Sequence, residues 1–254
     1  MVAKKQSKFI TKNTVFYLIF VVFWAGFSLV ASQFVFAHLL NFLVGQNLSH
    51  PFWLLIYYLI SYASALALIL FALPRFYRFC QKKRQKTPSS SLDINRAELG
   101  LTGTPTFTDM GLAPIGYVVY ALLANLLTAF FSIFSWFDAE ETQNLGFAYF
   151  ITTADRVFAM LAVVFIAPIA EEIIMRGWLY GKLRSRAGIF IAIFLTSLTF
   201  AFLHGQWNVA VVTFALSVVL CGLREITGTI YSGIILHILV NCVAFYLRYV
   251  AQII

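Results

Sequence analysis

The chain has 254 residues, 61% of them hydrophobic and only 11% charged, with a mean hydropathy of +0.86 and a formal net charge of +8. Soluble domains carry about 25% charged residues, so a soluble globular protein is excluded and an integral membrane protein is expected. The positive charge does not point to nucleic acid, because it is gathered into short segments between long apolar stretches.

Five stretches contain no Asp, Glu, Lys or Arg: 13–74, 110–137, 157–170, 187–223 and 226–247. A spanning helix needs roughly 20 residues, so the first and fourth stretches can each hold two. An all-α, polytopic protein of about seven transmembrane helices follows, with a two-helix region and basic linker in 1–109 and the remaining spans in 110–254. Four lysines precede residue 13, six basic residues lie in 75–86 and three in 182–186, whereas the loops 41–51 and 138–156 hold one basic residue, Arg156, and four acids. The positive-inside rule then makes the N-terminus and the basic loops cytoplasmic, in a cell membrane, and seven spans put the C-terminus outside.

The expected spans, in order, begin with Val15 to Phe36 and Phe52 to Leu73, two aromatic-rich packing helices. Between them Asn47-Leu48-Ser49 matches a glycosylation sequon, a short and weak pattern. Residues 75–109 are polar: a basic run, Thr-Pro-Ser-Ser-Ser, then a short amphipathic stretch, Leu92 to Leu101. This stretch reads either as lying on the membrane surface or as a solvated linker. The third span covers about Leu112 to Trp136. The fourth starts near Val157, passes Pro168, whose missing N–H should kink it, and ends in Lys-Leu-Arg-Ser-Arg. The fifth, sixth and seventh cover about Gly188 to His204, Val209 to Leu223 and Gly228 to Tyr249. Cys80, Cys221 and Cys242 lie in a loop and in spans, so no disulfide framework is implied.

Charge inside hydrocarbon is costly and usually serves a site, which singles out Glu171, Glu172 and Arg176 of the fourth span. On a helix Glu172 and Arg176 share a face and can pair, whereas Glu171 is rotated about 100° away and finds no partner in its own segment. Three further polar side chains stand in later spans: His204, and His237 with Asn241 four residues on, on one helix face. A lone histidine of this kind ordinarily hydrogen-bonds between helices. Together the group is a hydrolytic kit: a carboxylate can take a proton from water, a histidine can hold that water, and a histidine with an amide can donate to an oxyanion. Depth counted at 1.5 Å per residue puts Glu171 and His237 both roughly 14 Å from the cytoplasmic edge, but His204 roughly 24 Å from it, about 10 Å too far.

Glu171-Glu172-Ile173-Ile174-Met175-Arg176 fits E-E-x-x-x-R, Phe200-Ala201-Phe202-Leu203-His204 fits F-x-x-x-H, and His237-Ile238-Leu239-Val240-Asn241 fits H-x-x-x-N. In this order, on successive apolar segments, they resemble the signature of the CAAX protease and bacteriocin-processing (CPBP, or Abi) family of intramembrane proteases, over residues 158–241. The resemblance implies a helical membrane fold with a polar cavity between the last four helices and peptide-bond hydrolysis inside it. It implies that Glu171 activates water together with His204, that His237 and Asn241 stabilise the oxyanion, and that Glu172 and Arg176 support the site. Zinc on Glu171, His204 and His237 is the metal-dependent version. Without an H-E-x-x-H motif, and with these donors on three segments, a metal-free site without cofactor is favoured. The partners implied are the lipid bilayer and a membrane-associated peptide or protein substrate. Two other classes fit part of the pattern: a non-enzymatic immunity or scaffold protein of the same fold, and a proton-coupled transporter, which leaves the histidine motifs unexplained and lacks an inverted repeat.

Overall fold

A computed structural model describes residues 12–45, 50–83, 96–141 and 152–251. The sequon at Asn47, most of the basic run after Lys83, the first part of the amphipathic stretch and much of the acidic loop lie outside the described residues. Among the described residues six helices are long and apolar enough to cross a membrane: α1 (Asn13–Val44), α2 (Pro51–Phe76), α3 (Phe107–Phe131), α4 (Thr153–Ala187), α6 (Trp207–Thr227) and α7 (Tyr231–Tyr249). The remaining apolar helix, α5 (Ile189–Phe202), is shorter; at 1.5 Å per residue it is about 21 Å long against a hydrocarbon core of about 30 Å. The chain is a multi-pass helical membrane protein. Large side chains such as Phe42, Phe107 and Phe190 are exposed on its outside, as a lipid-facing surface requires.

Local chemistry sets the helix starts. Thr106 and Asp109 form a capping box at α3, as Thr152 and Asp155 do at α4, each pair satisfying backbone N–H groups that a helix N-terminus leaves open. His50 caps α2 ahead of Pro51, whose ring suits the first turn. Long α4 is not uniformly wound: wide π-helical turns occupy Leu161–Ile166 and Ile173–Leu179, on either side of Pro168 and the two glutamates. The proline is thus accommodated by a change of hydrogen-bond register.

Helices α1 and α2 pack on each other and on α4, while α3, α6 and α7 pack together and α5 lies between α4 and α6. Apolar cores fill both groups, one around Ile69, Ile174 and Trp178, the other around Leu220, Leu223 and Leu236. The two ends of the bundle differ. At the basic end the chain before α3 folds back over the helices: Leu99 is buried, the Gly100 carbonyl accepts from Ile230 N–H at 3.1 Å, and Lys182 Nζ meets Glu98 Oε1 at 2.6 Å. Gly177 permits this, because a Cβ there would stand 3.1 Å from the Leu99 carbonyl oxygen. The described part of the amphipathic stretch is therefore a plug wedged against α4, neither a surface helix nor a free linker. Arg184 and Tyr180 both donate to Glu225, at 2.8 and 2.7 Å, tying α4 to α6 at the same end.

At the other end the acidic connection meets the turn after α5. Asn208 Nδ2 donates to the Glu141 carbonyl at 2.7 Å, and the rings of Trp136 and Trp207 meet at 5.6 Å, an aromatic cluster suited to a membrane interface. Cys221 and Cys242 are free thiols.

Candidate active site

The centre of the bundle is the Glu172–Arg176 pair. Arg176 donates to Glu172 Oε1 at 2.8 Å, and both side chains are wholly buried. The guanidinium also lies over the Phe200 ring at 4.5 Å, a cation–π contact. From α7, His237 Nδ1 approaches the same Glu172 oxygen at 3.0 Å. An ionised carboxylate only accepts, so Nδ1 carries the proton in that bond and the ring turns Nε2 toward Glu171, 3.8 Å from its Oε2. Close packing makes room for this: a Cβ on Gly233 would stand 3.0 Å from Glu172 Oε2.

Glu171 does have a partner, and it comes from α2. Tyr62 is buried and its hydroxyl donates to Glu171 Oε1. Helix α2, expected from its sequence to serve packing alone, thus carries a side chain of the site. The only signal was general, that a buried tyrosine needs a partner for its hydroxyl, and with Tyr57 and Tyr58 beside it the sequence did not single out Tyr62.

His204 sits in the turn just past α5, its Nδ1 2.8 Å from the Phe200 carbonyl. A carbonyl only accepts, so Nδ1–H donates there, and in the neutral ring Nε2 carries the lone pair. The F-x-x-x-H spacing thus has a physical content: Phe200 touches Arg176 and His237 with its ring and orients His204 with its backbone. The depth mismatch expected for His204 is removed by the length of α4. Its helix continues from Tyr180 to Ala187, which starts α5 about 10 Å further down the helix axis than the sequence estimate assumed.

Asn241 Nδ2 donates to the Val163 carbonyl at 2.9 Å. In the π-helical register of that turn, Ala167 N–H bonds the Ala162 carbonyl five residues back. The next donor in the series would be residue 168, a proline without N–H, so the Val163 carbonyl is left open and the Asn241 amide fills it. One N–H of Asn241 is therefore committed to holding α7 against α4, and the other remains for a ligand.

Glu171, His204, His237 and Asn241 line one cavity of about 520 Å³, together with aromatic and aliphatic side chains from the other helices. Glu172 and Arg176 lie behind it. Among the described residues, no three of the His, Cys, Asp and Glu side chains stand where they could hold a metal ion together; Glu171, His204 and His237 share the cavity without forming a ligand set. Residues 153–243 match the family model of the type II CAAX prenyl endopeptidases, Rce1-like. No curated protein and no solved structure matches the chain.

Proposed function

We propose that the chain, whose residues 153–243 match the Rce1-like family model, is a CAAX-type intramembrane endopeptidase using glutamate-activated water on a membrane-associated peptide or protein. The observation that carries this reading is the meeting of Glu171, His204, His237 and Asn241, from α4, α5 and its turn, and α7, around one cavity.

In the proposed reaction a water lies between Glu171 and the imidazoles, held by the lone pair on His204 Nε2. Glu171 takes a proton from it as the water oxygen bonds to the scissile carbonyl carbon. The oxyanion that forms is met by the free N–H of Asn241 and by His237 in its doubly protonated form, the one form in which Nε2 donates while Nδ1–H stays on Glu172. The C–N bond then breaks, and the proton held by Glu171 goes to the leaving amine. Tyr62 holds the Glu171 carboxylate in place through this cycle. No step is routed through a metal ion. The setting proposed is the cell membrane, with the N-terminus and basic loops cytoplasmic by the distribution of charge.

The test compares membrane-associated peptides in cells carrying the wild type, Glu171→Ala and Glu171→Gln. The expected result is one or more peptides that accumulate uncut in both variants while the variants still insert in the membrane. Undiminished cleavage by Glu171→Ala would sink the reading, and a cellular phenotype that survives Glu171→Gln would favour a binding role in immunity.

A further inference from the structure

The cavity occupies one half of the molecule only. Its lining includes Met175, Glu171 and His237 and extends past Tyr58 to Val209 in the first turn of α6 and to Arg248 in the last turn of α7. Arg248 stands eleven residues beyond His237 on α7, about 16 Å along the helix. An arginine beside Tyr249, whose ring it approaches at 5.7 Å, is the residue pair expected where a helix leaves hydrocarbon for water. That places the far end of the cavity at the membrane interface on the side of the acidic loop.

In the opposite direction the same helices are shut. Below Met175, α4 buries Trp178, Leu179 and Leu183, and Leu99 is wedged against Gly177. Beneath them Lys182 is held on Glu98 and Arg184 on Glu225. Reaching Glu171 from the basic end would require moving a packed plug and breaking ion pairs, whereas among the described residues the cavity itself extends from Glu171 toward the acidic-loop end.

We propose that substrate reaches Glu171 from the acidic-loop side of the membrane, so that the substrate class is a peptide presented at that face. With the basic loops cytoplasmic, this is the extracytoplasmic face. The wall it passes is mixed, with rings from Tyr58, Tyr120, Phe245 and Tyr249 beside the polar Gln33, Thr213 and Arg248, which suits a peptide segment carrying apolar side chains on a polar backbone. That the incoming peptide is cut rests on the peptidase reading; the direction of access does not.

The test therefore reads access without turnover. In full-length protein with Cys80, Cys221 and Cys242 replaced by alanine, single cysteines are placed on the cavity wall by Val212→Cys or Thr213→Cys, and at the basic end by Ser185→Cys. Intact cells are treated with a charged, membrane-impermeant methanethiosulfonate, and membranes opened on both sides serve as reference. The expected result is labelling of at least one wall position in intact cells, with Ser185→Cys labelled only once the membrane is opened. Wall positions that label only in opened membranes, or in neither preparation, overturn the proposal. Failure of the peptidase reading would instead appear as unaltered peptides in the Glu171→Ala comparison and would leave the labelling pattern in place.

Discussion

Replacing Arg176 by methionine removes the cation from the wholly buried pair while keeping an unbranched chain of similar length. Glu172 then retains two acceptors in the interior, with His237 Nδ1–H as its remaining donor and Oε2 without a protein partner. Breaking a buried pair by removing one member costs about 3–5 kcal/mol, because the other charge is left uncompensated. The pair itself is not expected to be worth that much: among the described residues Arg176 Nε and Nη2 have no hydrogen-bond partner, so much of its desolvation is not recovered. Glu172→Gln together with Arg176→Met removes both charges yet keeps an amide oxygen for His237, and should cost only about 1–2 kcal/mol, the scale of ordinary hydrogen bonds. The assay is reversible unfolding in mixed micelles for the wild type, both single variants and the double variant, read as a double-mutant cycle. A loss below about 1 kcal/mol for Arg176→Met, or a double variant as unstable as that single one, would refute the view that an uncompensated carboxylate dominates.

Tyr62→Phe keeps the ring and deletes only the donor to Glu171. A hydrogen bond to a charged group is worth about 1.5–3 kcal/mol, so kcat should fall roughly 10- to 100-fold with KM little changed, measured on the peptide found to accumulate in the Glu171 variants. Gly233→Ala puts a Cβ 3.0 Å from Glu172 Oε2 and 3.5 Å from Leu220 Cδ2. It should destabilise by about 1–3 kcal/mol, whereas Gly222→Ala, with nothing within 4 Å, should be neutral or stabilising by up to about 1 kcal/mol; equal effects in the same unfolding assay would contradict the close approach. Chelation should leave cleavage intact, and metal analysis of purified protein should find no stoichiometric zinc. Chelator-sensitive activity would reassign Glu171, His204 and His237 as ligands.

Much of the site was legible because hydrocarbon makes polar residues conspicuous. Glu171, Glu172, Arg176, His204, His237 and Asn241 stood out as costly in their segments, and helical spacing alone paired Glu172 with Arg176 and His237 with Asn241. Tyr62 escaped, since a tyrosine in an aromatic-rich span carries no cost that marks it until its neighbours are known. The depth of His204 was misjudged because helix length cannot be counted from the edge of the apolar run: α4 continues as helix through the charged residues Lys182 to Arg186, where hydropathy falls although the backbone hydrogen bonds continue. The plug at residues 96–101 was missed for the complementary reason, that its burial depends on glycines of α4 far away in the chain.

What the sequence by itself determined is the class of molecule and the chemistry available to it: apolar stretches of spanning length require helices, since the backbone must satisfy its own hydrogen bonds in lipid, and the few ionisable groups within them define the reactive set. Only the tertiary structure decided which of those groups face one another. Glu171 is held by α2, Asn241 closes the carbonyl that Pro168 leaves open, and the cavity runs toward one end of the bundle while the other is shut. Those contacts join residues as far apart as Tyr62 and Glu171, and no local periodicity encodes such a meeting, because it depends on how whole helices are cut to length, wound and packed.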